Sequence, residues 1–180
     1  MAIDKGYTEL ASKSESYEIC FIPDYDYRGF LKRRVDGLED QVKGGKFITK
    51  EGEVVGTHDG YPFYTIGQRR IGVSLGQHPT YVIDIDPEEN TVMVGTKDDL
   101  KELEMYVQNI NLVKYESIPD DFLSITKVRY KHIGEESILF NVGSDIKVRF
   151  SRKVEGIAPG QSAVFYEGDD VVGGGFIKKI

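Results

Sequence analysis

The apolar positions of this chain change period along its length. Ile19, Cys20, Phe21 and Ile22 run without alternation, the pattern of a short strand buried on both faces, and Pro23 ends it. Tyr27, Phe30, Leu31, Arg34, Val35 and Leu38 then recur at helical spacing behind Asp24 or Asp26 as N-cap, with Lys32 and Arg33 outside, and Gly37 with the polar stretch after it closes the helix. From Lys46 the period falls to two. Phe47 to Thr49 and Val54 to Gly56 flank Lys50-Glu51-Gly52-Glu53, and Thr80 to Ile85 and Thr91 to Val94 flank Asp86-Pro87-Glu88-Glu89-Asn90; both read as hairpins.

Lys97 to Leu103 reads as one or two helical turns, and the rest is β: Met105–Val113, Phe122–Tyr130, Ser137–Val142, Ile146–Phe150, Gln161–Tyr166 and Val171–Ile177. Strands spaced this way with glycine turns predict a small barrel, with Ile146, Val148 and Phe150 inward and Lys147 and Arg149 outward. The fold class is therefore mainly β with a little helix: a small mixed α+β domain over 27–104, then a barrel over 105–180. Residues 1–26 read as the tail of something upstream.

Composition narrows the function. The chain is 39% hydrophobic and 29% charged with eleven Tyr and nine Phe, which belongs to a folded soluble protein. Neither a signal peptide nor an apolar run of membrane-spanning length is present, so a cytoplasmic protein without membrane contact is expected. One cysteine cannot form an internal disulfide, and with three scattered His it cannot build a tetrahedral zinc site, so no metal is expected. The net charge of -7 argues against bulk attraction to polyanions, yet basic residues cluster at Lys32–Arg34, Gln68–Arg70, Lys127–His132 and Lys147–Lys153.

Three stretches could carry chemistry. Cys20 among Ile and Phe is either inert packing or, given a neighbouring positive charge, a reactive thiolate. In Lys127-Val128-Arg129-Tyr130-Lys131-His132 a strand would put Lys127, Arg129 and Lys131 on one face as a phosphate-tracking row, with Tyr130 as a stacking surface; a solvated edge strand is the alternative. Tyr64-Thr65-Ile66-Gly67-Gln68-Arg69-Arg70 runs a strand into a glycine turn that presents an amide and two guanidiniums. Gly173-Gly174-Gly175 lies inside an apolar strand and reads as a bulge or a close backbone approach, not a phosphate loop.

Taken in order, EICFIP, HDGYPFYTIGQRR, KVRY, PGQSAVFYEGD and VVGGGFI resemble the tRNA-specific 2-thiouridylases across residues 13–177. The resemblance implies an enzyme of three parts: an ATP pyrophosphatase domain, which has no counterpart here, a central domain, and a barrel like those of translation factors. It implies that this piece alone is inactive and that ATP binds to the missing domain. It assigns Cys20 as the catalytic persulfide carrier, and Arg129, Tyr130 and Gln161 as tRNA contacts. His58, Gln68 and Arg69 fall near the junction with the missing domain or with tRNA. The implied partners are the tRNAs for Lys, Glu and Gln and a persulfide sulfur donor protein. Glu18 stands where the family commonly has glycine. The competing expectation is a stand-alone RNA- or protein-binding barrel module in which Cys20 is structural.

Overall fold

A computed structural model of the chain describes Ile22 and residues 26–179, so Cys20 and the short strand expected around it lie outside the described residues. Contacts divide the chain into two compact units, one ending at Gln41 and one beginning at Val42.

In the first unit, α1 (Tyr27–Arg34) starts where the sequence places an N-cap: the Asp26 carboxylate accepts the Gly29 N–H at 2.8 Å. The predicted single helix to Leu38 breaks in two. Val35 is extended and Gly37 has φ +69°, so α2 (Leu38–Val42) is a separate short turn of helix. Apolar spacing continued across the break, and the left-handed glycine overrode it.

The second unit opens with a four-stranded sheet of β1 (Gly45–Ile48), β2 (Val54–His58), β3 (Tyr81–Asp86) and β4 (Thr91–Gly95), in the order β2-β1-β4-β3. Both predicted hairpins form. Thr49 N donates to Glu53 O across the first turn, and Asp86 Oδ1 accepts Glu88 N in the second. The two hairpins join through a parallel pairing of β1 with β4, with Phe47 opposite Val92. Phe47, Ile71, Val82, Val92 and Val94 form the core of this sheet. Asn90, held at φ +50° as the last turn residue, ties three segments together: its Nδ2 donates to Val42 O at 2.7 Å, its backbone carbonyl accepts Lys46 N, and its Oδ1 accepts Tyr61 N.

The barrel is closed and antiparallel, made of β5 (Lys101–Leu112), β6 (Phe122–Lys127), β7 (Glu135–Val142), β8 (Asp145–Glu155), β9 (Ser162–Glu167) and β10 (Asp170–Lys178), in the order β10-β5-β8-β7-β6-β9. Only Asp98–Leu100 is helical in the stretch expected to form helical turns; β5 already pairs with β8 from Lys101, opposite Glu155. Ile146, Val148 and Phe150 point inward as their alternation predicts, beside Met105, Leu139, Phe165 and Val172. Three hydroxyls share this interior. Thr126 Oγ1 and Ser137 Oγ lie 2.7 Å apart, Ser137 Oγ donates to Ser124 O, and Ser124 Oγ to Tyr166 O, so none of the three is buried unpaired.

The triple glycine serves close approach, as its setting suggests. A Cβ on Gly173 would meet Asn111 O at 2.5 Å, one on Gly174 would meet Ala163 O at 2.3 Å, and one on Gly175 would meet Gln108 O at 2.4 Å. Register shifts on both sides of this segment mark the same crowding. No described helix is long and apolar enough to cross a membrane.

Candidate functional site

The basic and aromatic segment departs from its expected form. β6 stops at Lys127, Val128 plugs the barrel core, and the chain then turns, with His132 N donating to Arg129 O at 3.0 Å. The row of Lys127, Arg129 and Lys131 on one strand face therefore does not form. Barrel closure needs Val128 inside, and the path to β7 must then reverse through Gly134, whose φ of +103° and lack of a Cβ beside Ile125 Cγ2 allow the bend.

The turn separates the roles of these side chains. Arg129 Nη1 donates to Glu155 O at 2.7 Å and lies against Gly156, where a Cβ would sit 1.9 Å from that nitrogen. Lys127 Nζ sits 4.9 Å from the centre of the Tyr166 ring. Tyr130 projects into solvent, 94% exposed, as does Ile133 at 90%. His132 Nδ1 accepts Val128 N at 3.4 Å, and burial, followed by the charge of Arg129, lowers its pKa and favours the neutral ring this bond requires.

Gln161 lies in the connection that Arg129 grips. From Gly156 that connection runs to a tight turn in which Gln161 N donates to Ala158 O, and it is clamped to β10 by Gly160 N to Ile177 O and Ile177 N to Gln161 O, each 2.8 Å. The Gln161 side chain is exposed. The same end of the barrel adjoins the sheet: Gly156 N reaches Leu100 O at 3.4 Å, and Lys97 pairs with Glu155 at 3.3 Å. Arg129 and the connection that carries Gln161 thus meet beside the segment that joins the sheet to the barrel, with Tyr130 next to Arg129 in the chain.

Gln68 and Arg69 sit on the sheet. The turn Thr65–Gln68 is closed by Gln68 N to Thr65 O, and the Gln68 side-chain Oε1 accepts Thr65 N at 3.0 Å. Its backbone docks on β3 through Gly67 N to Val82 O and Val82 N to Gln68 O, while the Arg69 guanidinium lies 5.5 Å from the Tyr81 ring centre. The Gln68 amide therefore braces the turn, and the exposed Arg69 is the group it presents.

His58 is placed in the interior, 5% exposed, with its ring 5.0 Å from Phe47 and 5.3 Å from Tyr64. Its Nδ1 accepts Gly60 N at 3.0 Å, which puts the proton on Nε2, and that buried atom has no hydrogen-bond partner. Burial is the main reason its pKa is lowered. Gly45 makes room for the ring: a Cβ there would stand 2.1 Å from His58 Cε1.

Sequence reading missed the two groups that organise this face. What Glu155 offers Arg129 is its backbone carbonyl, which no side-chain pattern reveals. Lys179 Nζ crosses from the barrel to Ile85 O on the sheet at 2.5 Å. The signal nearest to either was Gly156, since a glycine at φ +79° after a long strand marks a close approach. Elsewhere on the barrel, Leu123, Ile125, Ile138 and Tyr166 floor an open groove of about 750 Å3 on the outer face, flanked by Arg149 and Glu136. Among the described residues no group of His, Cys, Asp and Glu could hold a metal ion.

Residues 28–96 match the family model for the tRNA methyl transferase PRC-barrel domain, and residues 102–177 match that for the aminomethyltransferase beta-barrel domain. Among curated relatives, the tRNA-specific 2-thiouridylase MnmA of Amoebophilus asiaticus is 56% identical over 180 residues, covering 99% of this chain and 48% of that protein. The proteins of the same name from Cytophaga hutchinsonii and Salinibacter ruber are 52% and 49% identical, over 99% and 100% of this chain and 49% and 47% of their own lengths. The chain spans about half the length of the curated relatives it matches.

Proposed function

Because this chain belongs to the tRNA-specific 2-thiouridylase family, whose central and C-terminal domains it matches, we propose that it is the tRNA-gripping half of an enzyme that replaces oxygen by sulfur at C2 of the wobble uridine. The observation that carries this reading is the barrel end itself. Arg129 is anchored through its Nη1, Tyr130 stands free beside it as a stacking platform, and Gln161 projects from the connection Arg129 grips. A fixed guanidinium with an exposed aromatic is what a splayed, unpaired nucleotide needs, because every base has a face to stack and every phosphate accepts charged hydrogen bonds. Arg69 on the sheet adds a second cation, so a chain with a net charge of -7 meets RNA through local groups.

In the proposed reaction the uridine O2 attacks the α-phosphorus of ATP and releases pyrophosphate, which turns a poor leaving group into AMP. A persulfide on Cys20 then attacks C2 through its outer sulfur, and AMP departs. A second thiol, outside this chain, breaks the S–S bond, leaves the sulfur on the base and pairs with Cys20 as a disulfide; a dithiol reductant returns both to thiols. The persulfide comes from a sulfur donor protein, ATP binds outside this chain, and the substrates are the tRNAs for Lys, Glu and Gln.

The test uses full-length enzyme and an unmodified tRNA of one of these classes. Wild type forms 2-thiouridine with AMP release; Cys20→Ser forms none while binding tRNA normally. Thiolation that survives in Cys20→Ser removes Cys20 from the chemistry, and tRNA binding by the 180-residue chain that is independent of salt removes the barrel end from the RNA contacts.

A further inference from the structure

The sheet and the barrel are joined covalently by one segment, Thr96–Leu100. Two of the bonds between them, Lys97 with Glu155 and Gly156 N with Leu100 O, sit on that segment and give little leverage against rotation about it. Under the junction lies a cleft of about 290 Å3, lined on the sheet side by Ile83 and Met93 and on the barrel side by Ile157 and Ile177, so apolar packing between the two parts is incomplete.

Lys179 crosses this junction away from the tether. Its Nζ donates to Ile85 O at 2.5 Å and lies 3.5 Å from the Asp84 carboxylate, both on the edge strand β3. Ile85 pairs with Val92, three residues from the Gly95 end of β4, or about 10 Å along the strand. On the barrel side Lys178 pairs with Tyr106, five residues into β5 from Lys101. The neighbouring Lys178 stays within the barrel, bonded to Asp145 at 2.7 Å.

The same two strands carry the candidate RNA contacts. Two residues before Lys179, Ile177 is bonded in both directions to the Gly160–Gln161 turn; on β3, Val82 is bonded in both directions to Gly67 and Gln68, next to Arg69. A continuous run of bonds thus leads from Gln161 through β10, Lys179 and β3 to Gln68 and Arg69.

We propose that Lys179 is a positioning residue: it locks the barrel to the central sheet and holds Arg69 at a fixed separation from Arg129, Tyr130 and Gln161. The lock is a statement about geometry, whereas its consequence for RNA rests on the tRNA-binding reading. A ligand that spans two sites gains from their fixed spacing because ordering is already done before it binds.

The experiment has an RNA-free and an RNA-bound arm. Residual dipolar couplings are measured on the 180-residue chain, with alignment tensors fitted separately to the sheet and the barrel. Wild type and Lys178→Met give coincident tensors; in Lys179→Met the two diverge, and Lys179→Arg restores coincidence by donating to the same carbonyl. Coincident tensors in Lys179→Met overturn the lock whatever the binding data show. In the second arm, Lys179→Met weakens tRNA binding about threefold to tenfold, Lys179→Arg recovers it, and Asp84→Asn weakens it in the same direction. Tighter binding by Asp84→Asn overturns the proposal in favour of Lys179 as a direct phosphate contact. Wild type that binds no tRNA defeats the tRNA-binding reading and leaves the first arm to decide the lock.

Discussion

The guanidinium of Arg129 occupies the space that a side chain on Gly156 would need, while donating to the carbonyl of Glu155 at 2.7 Å. A glycine and an arginine distant in sequence thus share one volume, and the orientation of the arginine depends on the glycine having no side chain. Gly156→Ala places a Cβ at φ +79° and displaces the guanidinium. A loss of about 1–2 kcal/mol is expected in urea unfolding, together with weaker tRNA binding. Stability that falls while binding is untouched would show that the pose of Arg129 does not matter to RNA.

Arg129 and Tyr130 are adjacent but should fail differently. Arg129→Ala removes a cation, so it is expected to weaken tRNA binding about tenfold and reduce the slope of log affinity against log salt by about one. Tyr130, 94% exposed, contributes little to folding. Tyr130→Ala should leave the melting temperature unchanged, cost about 1–3 kcal/mol of binding through lost stacking, and keep the wild-type salt slope. Titrations over a range of salt concentrations separate the two.

His58 makes folding sensitive to mild acid. Its folded pKa is lowered, by burial first, from the ordinary 6.5, so below that pH the unfolded chain binds a proton that the folded chain refuses. Stability is therefore full at neutral pH and falls as pH drops below 6.5, until the native ring itself titrates. His58→Phe keeps a ring against Phe47 and Tyr64 and should flatten this dependence. A smaller slope of the same sign is left by His132, whose pKa is lowered too. Urea unfolding at a series of pH values between 7.5 and 5 measures it, with an unchanged slope in His58→Phe as the contrary result.

Gly174→Ala probes the crowded seam of the barrel. A Cβ there would stand 2.3 Å from the carbonyl of Ala163, so β9 and β10 must separate. The expected cost is about 2–3 kcal/mol, with faster amide exchange along β9 and β10. Gly143→Ala is the control: it sits in a hairpin turn at φ +62° with nothing near its missing Cβ, and should cost about 1 kcal/mol.

Much of the barrel could be read from the chain because alternation carries the information. Ile146, Val148 and Phe150 show which face is inside, and the glycine turns show where strands end. The central sheet was half legible: its two hairpins are local, whereas the parallel pairing of β1 with β4 depends on contacts between residues 45 positions apart, such as Phe47 and Val92, which no period records. The candidate site followed the same division. Tyr130 and Arg129 could be picked out by residue type, but the strand expected beneath them ends at Lys127, since closing the barrel claims Val128 for the core. His58 looked like a group available for contact. It is a wall of the aromatic interior, and only the missing Cβ of Gly45 explains how it fits there.

In the barrel the first strand, β5, pairs with the last, β10. Until Lys178 has been synthesised, the growing chain can assemble β5 to β9 only as an open sheet, with the long β5 exposed along one edge and β9 along the other. Closure therefore cannot precede the synthesis of β10, and β5 must wait for a partner at the far end of the barrel sequence. In that interval the two bare edges are the places where a nascent chain is most exposed to pairing with another copy of itself.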